Sequence, residues 1–219
     1  MEEKKVIIIG AGGHGAEIDD YINYACEKND TVDIKIIGFL DDNPDAYNKY
    51  QLSAPYLGKI KDHKVRDDCF YIIGIANLKF RRRIVEKFIE KGARFVSFIH
   101  PTAYVSKSVR LGRGVIVCPN ANIGPNVHIG NYTLVNSRCS IGHDSVVGDF
   151  NFISPNVSFS GFTEIGNENL FGVNSATIPG IKAGNRNKIA AGMVLDKNIG
   201  DNAVVFYRYK ERVIAIPKK

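Results

Sequence analysis

The sequence predicts two units of different class. Residues 1–100 read as an α/β, Rossmann-like βαβ domain. Residues 101–219 read as an all-β unit, a left-handed parallel β-helix of hexapeptide repeats with a C-terminal extension. Three observations carry this reading. From Val105 to about Leu195 an apolar residue returns every six positions, through Leu111, Val117, Ile123, Ile129, Val135 and Ile141, the mark of a solenoid. The glycine-rich turn Gly10-Ala11-Gly12-Gly13-His14-Gly15 directly follows an apolar run at 5–9. Further short apolar runs then alternate with a helical pattern, as in a parallel sheet with crossover helices.

In the first unit, the run at 5–9 is a strand, and a helix is expected from about 14 to 28, with Ile18, Tyr21, Ile22 and Ala25 at helical spacing. The turn between them satisfies G-x-G-x-x-G. Such glycines let the backbone approach a phosphate, and the following helix N-terminus favours an anion. Gly10, Gly12, Gly13, His14 and Gly15 are therefore candidate nucleotide-binding positions. A second run, 34–40, ends in Asp41-Asp42. Carboxylates there lie where a ribose or base would sit, but Asp41-Asp42-Asn43-Pro44 is equally a good polar turn. A third run, 70–75, leads through Ala76-Asn77 to a helix over 78–91, and a fourth, 95–99, ends at the junction His100-Pro101. About one hundred residues hold one mononucleotide half and not the two that a dinucleotide fold requires. The unit thus suits a nucleoside diphosphate carried by a substrate, and argues against a dehydrogenase.

In the second unit, three hexads make one triangular coil of eighteen residues, with roughly five coils each rising about 4.8 Å. Apolar residues point inward from each side, small ones fill the corners, and glycine relieves the turns. The hexad 141–146 contains His143 and Asp144, the pair most suited to chemistry. Gly161 lies one coil beyond His143 and Pro125 one coil before. A residue without a side chain above the imidazole leaves room for a reacting group and exposes a backbone N–H. Sequence neighbours at a corner can project apart, so a direct His143–Asp144 bond is left open.

The bulk numbers exclude several classes. The 219 residues are 44% hydrophobic and 24% charged, with formal net charge +6 and a pI near 9.1. Such mild basicity suits anionic small molecules. No Lys/Arg tract interleaved with aromatics supports nucleic-acid binding. Lys79, Arg81, Arg82 and Arg83 form the one tight basic cluster, expected on an exposed helix face. No signal peptide or membrane-length apolar run is seen, and a cytoplasmic enzyme with reduced thiols is expected. Cys26, Cys69, Cys118 and Cys139 lack zinc spacing, and Cys139 takes a small, buried repeat position. No metal site is expected. His63 reads as surface and His100 as structural, and His128 lies off the column of His143, against a zinc site shared between chains.

The pairing of I-x-G-A-G-G-H-G with a hexapeptide β-helix resembles the NeuD/PglD-type sugar acyltransferases, over nearly the whole chain. The turn at 9–15, Phe39-Leu40-Asp41-Asp42, Gly74-Ile75-Ala76-Asn77 and Ile141-Gly142-His143-Asp144 all fall in family order. The resemblance implies an acetyl-CoA-dependent acetyltransferase, with acetyl-CoA as donor substrate, N-acetylating an amino group (expected at C4) of a nucleotide-linked amino sugar for surface glycans. It implies His143 as general base with Asp144 as its acidic neighbour. It implies the glycine turn, Asp41, Asp42 and Asn77 as nucleotide-binding residues, and backbone near Gly161, Val173 and Ala191 along the acetyl-CoA groove. It also implies a homotrimer with that groove between adjacent β-helices.

Two positions depart from the family. Phe152 stands where a second histidine often contacts the thioester end of the cofactor, so either Phe152 packs on pantetheine or backbone amides alone hold the carbonyl. Phe206-Tyr207-Arg208-Tyr209-Lys210 replaces a short small-residue ending. Two alternatives remain open at this point: O-acetylation of a sugar hydroxyl, and a non-catalytic nucleotide-sugar-binding trimeric scaffold.

Overall fold

The computed structural model describes residues 3–28 and 33–207. The first unit runs β1 (Lys4–Ile9), α1 (Gly13–Lys28), β2 (Ile34–Leu40), a short helix α2 (Pro44–Asn48), β3 (Phe70–Ile73) and α3 (Leu78–Glu90). Its three strands form a parallel sheet in the order β2-β1-β3. Side chains alternate across a strand, so β1 feeds two layers. Val6 and Ile8 pack with Ile18 and Ile22 of α1, while Ile7 and Ile9 pack with Val85 and Phe88 of α3. The expected polar turn after Asp42 is a helix start, because the Asn43 side chain accepts the Asp45 N–H at 3.1 Å and Pro44 opens the helix.

The second unit is the expected left-handed parallel β-helix, built from two-residue strands. Its first face has seven strands, from Phe98–Ile99 to Val204–Val205; its second has six and its third five. Leu134–Val135 pairs with Ile116–Val117 below and Phe152–Ile153 above, so each residue stacks on those eighteen away. The solenoid therefore begins before Val105, in the strand expected to close the first unit: Phe95 bridges Tyr71, whereas Phe98–Ile99 pairs with Ile116–Val117. The last coil is two residues shorter, since Ile189 pairs with Val205. Phe206 and Tyr207 are exposed, and the rest of the aromatic-basic ending, 208–210, lies outside the described residues.

From Gly114 to Gly192 each corner is turned by a residue with positive φ, at Asn120, Asn126, Tyr132 and so on every six residues, with glycine at 114, 180 and 192. Inward residues Val117, Val135, Ile153 and Phe171 are fully buried. Asparagines stack inside one edge: Asn151 Oδ1 accepts the Asn169 N–H, and Asn169 Oδ1 the Asn187 N–H, both at 2.8 Å. These bonds satisfy backbone donors that no strand partner reaches. Cys139 is buried as expected, and all four cysteines are free.

The first unit docks on the first face of the solenoid. Outward side chains Phe98, Ile116 and Leu134 are buried with the α1 layer, and Tyr132 and Phe150 with the α3 layer. Here the basic cluster departs from expectation. Arg81 is fully buried and donates to the carbonyls of Tyr132, Ile73 and Ile75 at 3.0–3.3 Å. Burial lowers its pKa to about 10, so it remains charged at neutral pH. Arg82 pairs with Glu168 of the solenoid at 2.6 Å, and Arg83 stays exposed. His63 also departs from its surface reading, stacking on Phe88 and bonding the Tyr71 hydroxyl at 3.0 Å.

Asn169→Ala strands the buried Asn187 N–H and opens a small void. It is expected to lower unfolding free energy by about 3 kcal/mol, measured by urea denaturation; an unchanged midpoint would show that the ladder is dispensable.

Candidate active site

His143 and Asp144 occupy the corner between Ser140–Ile141 of the second face and Val146–Val147 of the third. Asp144 takes the positive-φ position (φ 56), and its N–H donates to the Pro125 carbonyl one coil earlier at 3.0 Å. This turn brings the two neighbours together, resolving the point the sequence left open. The His143 Nδ1–H donates to Asp144 Oδ2 at 2.8 Å, and Asn126 Nδ2 donates to Asp144 Oδ1 at 3.0 Å. The His143 bond first, and the Asn126 bond second, hold the Asp144 carboxyl below the ordinary aspartate range. With Nδ1 carrying the proton, Nε2 presents a lone pair. Both side chains face solvent, at 53% and 38% exposure.

Gly161 stacks directly over the imidazole. A β-carbon built there would lie 2.8 Å from Nε2 and 2.9 Å from Cε1. The absent side chain is thus what leaves space at the lone pair. Among the described residues no acceptor takes the Gly161 N–H, which leaves a donor beside that space. Phe162, next in the chain, donates its N–H to the His143 carbonyl at 3.0 Å and sets its ring edge-on to the imidazole, 5.0 Å between centroids. Neither Asn126 nor Phe162 was singled out from the sequence, although both lie eighteen residues from Asp144.

The glycine turn divides its roles. Gly10 has φ +108, and a β-carbon there would meet the Gly74 carbonyl at 2.8 Å. Gly15 packs against the Gly10 carbonyl, whereas Gly12 faces open space and Gly13 lies under the Tyr50 hydroxyl. Asp41 takes the turn role among the readings the sequence left open: its carboxylate accepts the Ala11 N–H at 2.8 Å and the Asn43 N–H at 2.9 Å, bracing the turn. Asp42 accepts the Lys61 N–H at 3.1 Å. Both aspartates line a cavity of about 560 Å³ whose other walls include Lys61, Ile75, Phe80, Arg83 and Lys87.

Asn77 caps α3, accepting the Lys79 N–H at 3.0 Å. It lines a second cavity, about 660 Å³, with Phe152, Leu170, Lys79, Arg186 and Lys188. Phe152 points outward from the first face, with its ring edge-on to His14 at 6.1 Å. The His14 Nδ1–H donates to Glu17 at 3.3 Å, its Nε2 has no partner among the described residues, and burial lowers its pKa. His143 lies on the corner opposite the first face, so Phe152 and His143 of one chain are on opposite sides of the prism. Val173 and Ala191 stack one coil apart on the corner between the first and second faces. With Gly161 they flank the second face from both edges. His128 is exposed on the third face, and no three His, Cys, Asp or Glu side chains among the described residues converge as a metal-binding group. No described helix is long and apolar enough to cross a membrane.

Gly161→Ala pushes only the end of a flexible side chain, so the melting temperature is expected to change by no more than about 3 °C. The displaced imidazole should release Asp144, whose carboxyl then titrates at higher pH. Carbon-13 NMR of that carboxyl measures this, and an unmoved titration would contradict the stacking.

Comparison with known proteins agrees with this architecture. Residues 5–88 match the family model of the PglD N-terminal domain. The UDP-N-acetylbacillosamine N-acetyltransferase of Bacillus subtilis is 29% identical over 116 residues, covering 52% of this chain and 51% of its own. The match thus spans about half the length of that curated relative. The acetyltransferase domain of PglB from Neisseria gonorrhoeae, solved with acetyl coenzyme A, superposes with TM-score 0.80 at 26% identity, covering 93% of this chain and 96% of that one. PerB from Caulobacter crescentus, solved with CoA and GDP-perosamine, gives TM-score 0.79 at 26% identity, covering 91% and 92%. Residues 5–88 thus match the PglD N-terminal domain model, and the chain joins them to a left-handed β-helix in the arrangement of these acetyltransferase structures.

Proposed function

We propose that the protein is an acetyl-CoA-dependent N-acetyltransferase acting on the amino group, at C4, of a nucleotide-linked amino sugar. The observation that carries this is the His143–Asp144 pair beneath Gly161: an imidazole with its tautomer set, a free lone pair, and space above it. In this reading Nε2 takes a proton from the amine as nitrogen attacks the thioester carbonyl. Asp144 stabilises the resulting imidazolium. The free Gly161 N–H faces the developing oxyanion, and the imidazolium returns the proton to the departing thiolate.

The nucleotide belongs with the first unit. Gly12 leaves the backbone open at the α1 N-terminus, and Gly10, Gly13, His14 and Gly15 shape the turn. Asp41, Asp42 and Asn77 complete that side, and the lysines and arginines on the walls of both cavities favour an anionic ligand. Gly161, Val173 and Ala191 flank the second face as the acetyl-CoA groove. Phe152 is then a wall of the acceptor cavity rather than a pantetheine contact within the same chain. Since His143 and that cavity lie on opposite sides of one chain, the reading requires a second copy, and a homotrimer provides it. N-acetylation is favoured over O-acetylation because the B. subtilis relative is named an N-acetyltransferase. A bacterial cytoplasmic location follows from the donor and acceptor.

The test is release of CoA thiol from acetyl-CoA with UDP-, GDP- and dTDP-linked 4-amino sugars and their hydroxyl counterparts. Amino sugars should react. Reaction of hydroxyl sugars alone would establish the O-acetyl alternative, and absence of both turnover and acetyl-CoA binding by calorimetry would establish the scaffold. His143→Ala should lower turnover by roughly 10²–10⁴-fold with unchanged circular dichroism, and near-normal turnover would remove the base assignment.

A further inference from the structure

Phe162 stands in a costly place. It holds the positive-φ position of its corner (φ 59), in a column where Asn126 and Gly180 do the same. The left-handed region suits glycine and asparagine and disfavours a bulky side chain. Tyr132 and Phe150 occupy the same kind of position, but they are buried against the first unit and stacked on each other. Phe162 has no such compensation and is 57% exposed. What it touches is His143, at 5.0 Å and an interplanar angle of 87°.

We propose that Phe162 is a positioning residue for the base: its ring holds the His143 imidazole plane so that Nε2 stays directed at the space over Gly161. The proposal rests on the reading of His143 as general base. One hydrogen bond from Nδ1 to Asp144 fixes one end of the imidazole but leaves the ring free to rock about it, and the side chain is half exposed. An edge-on aromatic partner restrains that motion from a second direction. The two contacts fix the imidazole with its Nε2 beside the vacant Gly161 position. Misdirection of a base by a small angle costs rate without costing affinity.

Phe162→Gly separates this role from a structural one, because glycine relieves the turn. The variant should melt at or above the wild-type temperature, yet turn over about tenfold more slowly, with KM for acetyl-CoA within about twofold of wild type. Phe162→Tyr, which keeps the ring, should restore the rate. In a His143→Ala background Phe162→Gly should cause no further loss. Carbon-13 relaxation spectra of the His143 imidazole C–H groups should show a restrained ring in the wild type and a more mobile one in Phe162→Gly, with the Nδ1–H tautomer held by Asp144 in both. That readout remains valid if the wild type transfers no acetyl group, so the two readings fail separately. A wild-type turnover number in Phe162→Gly, equal slowing without His143, a raised KM alone, or unaltered imidazole relaxation would each overturn the proposal.

Discussion

The structure depends on one backbone constraint, a left-handed residue every sixth position. It turns the chain by a third of a revolution, so that two-residue strands suffice to build three sheets. Because the turn never changes its length until the final coil, each residue sits on its neighbour eighteen positions away. The chemistry of the corner follows from this stacking. Asn126, Asp144 and Phe162 form one column, and His143 and Gly161 the column beside it. A carboxylate is thus hydrogen-bonded from below, and an imidazole is left uncovered from above.

Much of this was legible because repetition converts sequence distance into spatial distance. Counting along the chain placed Gly161 over His143, whereas the glycine spacing marked the turn without telling which of its glycines pack and which stays open. The same arithmetic would have reached Asn126 and Phe162. What it does not supply is side-chain direction, which the positive φ of Asp144 determines by swinging its carboxylate back to Nδ1. The two units met their sequence limits differently. Three consecutive arginines on α3 look alike in the chain, and only docking on the solenoid decides that Arg81 turns inward while Arg82 reaches Glu168. Asp41 was ambiguous for a related reason, since a strand-end carboxylate can brace the neighbouring turn only where that turn folds back over it.

The polar groups separate by task. Cations gather on the walls of the two cavities beside the first unit, where Asp41 has both carboxylate oxygens engaged by backbone N–H groups. The His143–Asp144 pair lies across the prism, beneath Gly161 and edge-on to Phe162. In the proposed reaction, a long anionic acceptor and a long thioester donor are thus held on different sides of the prism and meet only at their reactive ends.

Arg81 gives the joint between the units an unusual character. Its guanidinium is satisfied by three peptide carbonyls and no acid. Nothing in that contact gains or loses a proton across the range in which histidines titrate, and buried carbonyl dipoles are little screened by added salt. That contact, unlike the exposed Arg82–Glu168 pair beside it, is thereby decoupled from the acidity and ionic strength of its surroundings.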